Sequence, residues 1–179
     1  MAIAATDILL KLATTAGSAG NTGTSTPGSS LGKYVSTTQL SGTALNNLFP
    51  DITGAENAAS QVDYQCLFIH NSHATLTAQS VSVYLSAEVS GGASVALGVD
   101  TTAASAVGAS SAQALTIADS TTAPSGVSFS SPTTDGTGLS VGDIPAGSVR
   151  AIWIRRTAAN TSAVSNDGFT LGVAFDTAA

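Results

Sequence analysis

Near the C-terminus Phe169, Leu171, Val173 and Phe175 alternate with Thr170, Gly172, Ala174 and Asp176, and this period of two constrains the chain more than any other feature. Successive side chains of an extended strand point to opposite faces, so the alternation places four large apolar groups on one face. Val81, Val83 and Leu85 alternate in the same way with Ser80, Ser82 and Ser86, with Tyr84 interrupting the polar row. From Leu31 onward, short runs rich in Val, Ile, Thr and aromatics are separated by clusters of Gly, Pro, Asn and Asp, the pattern of successive strands and turns. The runs predict strands near 32–37, 62–70, 76–88, 94–99, 114–118, 126–130, 148–157 and 168–176, with a helical turn around Thr43 to Phe49. Asp100 to Gln113, nearly all Ala, Ser, Thr and Val, reads as a loop. Strands without intervening helices predict an all-β chain, a β-sandwich or jelly-roll-like domain, with a small barrel as the alternative.

The first 31 residues read differently. Ala5 to Ala13 is a short apolar segment, and Gly17 to Ser30 is a Gly/Ser/Thr stretch without a residue able to anchor a core. Residues 1–31 are therefore expected to form an extended N-terminal arm and flexible linker, and residues 32–179 a single β-sandwich domain. Thr6 could cap a turn or two of helix through Ile8, Leu9 and Leu12, and so short a helix needs a surface to dock on. Ile3, Ile8, Leu9, Leu10 and Leu12 make the arm a candidate contact element, docking on a neighbouring subunit or back on its own domain.

Composition narrows the function. Ala, Gly, Ser and Thr supply 98 of the 179 residues and charged residues only 9%, against about 25% in an ordinary soluble domain. Such a surface lacks the interspersed charge that keeps a free monomer in solution, which points to burial in an assembly. A net charge of −6 with five cations argues against a nucleic-acid partner. No apolar run approaches bilayer length, so no membrane partner is expected. The N-terminus has no basic leading region, and Asp7 and Lys11 interrupt its apolar run, so it does not read as a secretory signal. With Cys66 as the single cysteine, stability has to come from packing and partners rather than from an intrachain disulfide.

Few residues suggest chemistry. His70 and His73 are three apart in HNSH, a spacing that can serve a metal, yet the pair follows a strand with no third ligand near in sequence, so a hydrogen-bonded turn is the expectation. No GxSxG elbow accompanies the many serines, and GSSLGKY departs from a phosphate loop in glycine spacing and at Tyr34. Cys66 in YQCLFIH and Trp153 in VRAIWIRRT read as core residues. The chain is thus expected to be no enzyme, with no catalytic, cofactor or metal site. The one concentration of charge is Arg150, Arg155 and Arg156, whose guanidinium groups suit carboxylates of the chain's own aspartates or of a neighbouring subunit.

Five stretches resemble a family of tailed-bacteriophage virion proteins encoded beside the major capsid protein. They are SLGKYVS at Ser30 to Ser36, NNLFPDITGAE at Asn46 to Glu56, VDYQCLFIHNSH at Val62 to His73, APSGVSF at Ala123 to Phe129, and LSVGDIPAGSVRAIWIRRT at Leu139 to Thr157. Each alone would fit many β proteins, but together and in order they cover much of residues 30–157. The family pattern often has a basic residue where this chain has Gln65. The resemblance implies a head decoration or cement protein, made in the bacterial cytoplasm and carried on the virion. It also implies binding to the outer face of the shell of major capsid protein, often as homotrimers. A tail or fibre component, or a carbohydrate-binding sandwich using Tyr34, Tyr84 and Trp153, is the alternative, and a small hydrolase is a weaker one.

Overall fold

The computed structural model describes residues 2–16, 23–42 and 45–177. Its strands are β1 (Ile8–Thr14), β2 (Tyr34–Gln39), β3 (Val62–Asn71), β4 (Ala78–Glu88), β5 (Ser94–Val99), β6 (Ser105–Ala106), β7 (Leu139–Ile144), β8 (Ser148–Thr157) and β9 (Phe169–Thr177). They form two antiparallel sheets, as the alternation predicts for a sandwich. The larger runs β2-β1-β3-β8-β5, with β6 also paired to β8, and the smaller runs β7-β4-β9.

The two sheets enclose the main core. Leu12 of β1, Leu67 and Ile69 of β3, and Ile152 and Ile154 of β8 face Val81, Val83 and Leu85 of β4. The far side of the larger sheet is covered as well. Cys66, Phe68, Ala151 and Trp153 pack there under Ala114 and Ile117, with Leu115, Val127 and Phe129 at the margin. The central strands β3 and β8 pair over ten residues, from Val62 opposite Thr157 to Asn71 opposite Ser148. Buried on both faces, they read as nearly continuous apolar runs rather than as alternating ones.

This second core explains why 114–118 and 126–130 are not regular strands. They lie over the sheet and are held by isolated bridges, Thr116 to Gly32 just before β2 and Ser130 to Leu97 of β5. Their apolar residues answer to the face beneath them rather than to a neighbouring ladder. Gly32 marks the closest approach. Its φ is +90°, and a Cβ there would lie 1.9 Å from the carbonyl oxygen of Leu115.

The N-terminal segment is extended from Ile8 onward, after one 3-10 turn at Ala5–Asp7, and the run through Ile8, Leu9 and Leu12 is a strand rather than the expected helix. β1 inserts between β2 and β3, pairing Ile8 with Asn71 through Leu12 with Leu67. Sheet partners on both sides satisfy the backbone more fully than a two-turn helix could. Arm and domain thus share one sheet. The linker also anchors: Ser30 is fully buried, with its hydroxyl donating to the Cys66 carbonyl and accepting from the Ala13 amide. Residues 17–22 of the expected linker lie outside the described residues. So do Thr43 and Ala44 of the expected helical turn, whose remainder is turns and bends. The short helix α1 instead spans Gly54–Ala58, where Thr53 and Glu56 cap it reciprocally. β7 was not expected, because Gly142 and Asp143 interrupt its apolar alternation.

Candidate functional site

The three arginines all lie on β8, and alternation divides them. Arg150 and Arg156 share the parity of Ile152 and Ile154, while Arg155 shares that of Trp153. Arg156 donates to Asp63 Oδ2 at 2.8 Å and to the Pro50 carbonyl at 2.6 Å, and its guanidinium lies 4.5 Å from the centre of the Phe49 ring. Arg150 donates to the carbonyls of Asp100 and Thr102, so it pins the chain leaving β5. Burial pushes its guanidinium pKa down, and the neighbouring Asp100 carboxylate opposes that shift. Arg155 stands apart. Its guanidinium lies 5.3 Å from the Phe129 ring, which packs against Tyr64 at 5.5 Å.

Asp100 organises the outer layer. The carboxylate is almost completely buried and accepts from Trp153 Nε1 at 2.7 Å, the Leu115 amide at 3.0 Å and the Thr102 amide at 2.7 Å. Three donors hold a buried charge that would otherwise be costly. Gln113, equally buried, accepts from the Val35 amide and donates to the Ala106 carbonyl. The segment Asp100 to Gln113, irregular apart from β6, is therefore fixed by two buried polar side chains. Gln65 does similar work, accepting from the Ser30 amide at 2.9 Å and donating to the Gly28 carbonyl at 3.2 Å. A basic side chain could not accept there.

The remaining candidates are structural. Trp153 and Cys66 sit opposite each other in the β3–β8 ladder and are both buried. Burial, reinforced by Asp100, pushes the Cys66 thiol pKa well up, the opposite of a reactive thiolate. His73 Nδ1 accepts from the amides of Thr75 and Leu76, which makes HNSH a hydrogen-bonded turn. Among the described residues no three side chains are grouped to hold a metal ion.

The arm candidates divide by face. Leu12 is buried in the main core together with Ile3, and Ile8 and Leu10 pack against it partly exposed. Leu9 belongs to the opposite parity, beside His70 in the ladder. What the sequence did not signal is a groove of about 360 Å³ between the sheets, where Leu10, Leu40, Leu45 and Leu67 meet Phe169 and Leu171. Leu45, on its rim, is the one large apolar side chain strongly exposed among the described residues.

Fold and contacts define a two-sheet antiparallel sandwich carrying an irregular outer layer. No family model, curated protein or solved structure matches the chain.

Proposed function

We propose that the chain is a structural virion protein, a decoration or cement protein that binds the outer surface of a tailed-phage head through the major capsid protein and stabilises it. The observation that carries this reading is that the five phage-like stretches meet in one frame. Val62 to Asn71 pairs along its whole length with Ser148 to Thr157. Ser30 is hydrogen-bonded to Gln65 and Cys66, Phe129 packs on Tyr64, and Arg156 joins Asp63 to Pro50. A resemblance scattered over unrelated surfaces would carry less weight than one concentrated in a single packing unit.

Charge supports the same reading. Two of the five cations, Arg150 and Arg156, are occupied by their own chain. What remains is a hydroxyl-rich surface suited to close repeated contacts.

The test is to add purified protein to heads assembled without it. Saturable co-sedimentation, and heads that then withstand higher temperature before releasing DNA, are the expected result. Failure to bind heads, or binding to tails instead, would overturn the reading.

A further inference from the structure

A sheet edge offers unpaired backbone groups to any passing strand, and proteins blunt such edges. Three of the four edges here are blunted. β2 is covered by the segment before it, with Gly23 accepting from the Thr37 amide and Ser25 bonded to Thr38. β5 is covered where Leu97 bridges Ser130 and the Ser131 hydroxyl binds the Val95 carbonyl. β7 is six residues long and is broken by a register shift at Gly142.

The fourth edge, β9, is different. It runs nine residues, FTLGVAFDT, without proline or cation. Apart from its ladder with β4 and the hydroxyl of Ser86 on that same strand, which donates to the Thr170 carbonyl, no hydrogen bond to its backbone is seen among the described residues. Its apolar face is also incompletely covered. Val81, Val83 and Leu85 of β4 are at most 3% exposed, whereas Phe169, Leu171, Val173 and Phe175 beside them are only partly buried.

We propose that β9 pairs with β9 of a second copy of this chain, antiparallel across a two-fold axis at Val173, joining two three-stranded sheets into one of six. The strand is complementary to itself in that register. Phe175 falls opposite Leu171 on the apolar face, Val173 meets its own copy, and Ala174 falls opposite Gly172. Asp176, the only charge on β9, faces Thr170 and not another aspartate. That matters for two copies each carrying −6, because like charges directly opposed across strands are destabilising. Phe169 and Leu171 also wall the groove, so the incoming strand lands beside the exposed apolar surface there. The contact is isologous and closes as a dimer, unlike the trimer that the phage resemblance implies. It stands or falls independently of head binding.

Sedimentation equilibrium of the full chain at tens of micromolar, together with two cysteine variants, tests this. Thr170 and Asp176 are both exposed on the polar face, so Thr170→Cys and Asp176→Cys leave the core untouched, and Cys66 is buried away from oxidant. The expected results are a mass twice 17.5 kDa and a disulfide-linked dimer when the two variants are mixed. Neither variant should cross-link alone, since two copies of either cysteine would lie six residues apart along the strand, about 20 Å. A monomer, a trimer, or a dimer whose mixed variants do not cross-link would overturn it, as would an edge protected from exchange only after heads are added.

Discussion

Arg156 and Arg155 are neighbours in sequence with opposite fates. Arg156 is nearly buried and pairs with Asp63, both side chains at most 11% exposed, so its removal strands a carboxylate in a poorly solvated place. Arg156→Ala is expected to cost about 2–4 kcal/mol in denaturant unfolding, while Arg155→Ala, whose guanidinium only lies over Phe129, should cost under about 1 kcal/mol. Equal losses would contradict the assignment. At Gly32, alanine would collide with the Leu115 carbonyl at a positive φ, and Gly32→Ala is expected to lower stability by at least about 2 kcal/mol.

His70 makes a pH prediction at the same scale. Burial, and then the charge of Lys11, lower its pKa below the ordinary value, so folding favours the neutral ring. As pH falls through the ordinary histidine range, near 6.5, the unfolded chain takes up the proton first, and this contribution to stability drains away as the solution becomes more acidic. Denaturant midpoints should therefore fall between pH 7.5 and 5.5, and His70→Gln should flatten that fall. A wild-type midpoint unchanged over that window would contradict the burial argument.

At the scale of elements, legibility followed solvent exposure. β4 and β9 each present one face to the core, so their residues alternate and the strands can be read directly. β1 could not be read this way. ILLKLAT is apolar almost throughout, with Leu12 in the main core and Ala13 in the outer one, and a short continuous run looks the same for a helix as for a buried strand. The outer layer was illegible for another reason: what fixes it are single buried polar residues, Asp100 and Gln113, in a stretch of Ala, Ser and Thr. Of the interface candidates, the arginine cluster was visible as charge, and its possible pairing with the chain's own aspartates was foreseeable, but only the β3–β8 register places Asp63 opposite Arg156.

The place of β1 leads to a second element-scale expectation. Deleting residues 2–29 removes the strand between β2 and β3 together with Leu12 and Ile3 from the core. Each such side chain contributes about 1.5–3 kcal/mol when buried, so the truncated chain should lose its cooperative thermal transition. Leu12→Ala alone should cost about 2–5 kcal/mol. A truncated protein that melts like the full chain would show that β1 is dispensable to the fold.

At the scale of the whole molecule, a chain with so little charge has folded its hydrophobic residues into two cores and left a surface of hydroxyls and small side chains. The proposed attachment to a repetitive shell rests on such a surface and on the packing of the five stretches against one another. Cryo-electron microscopy of heads produced with and without this chain tests that account most directly. The expected result is difference density on the outer face of the head that fits the two-sheet sandwich and repeats with the shell lattice. Difference density confined to the tail, or identical heads in both preparations, would contradict it.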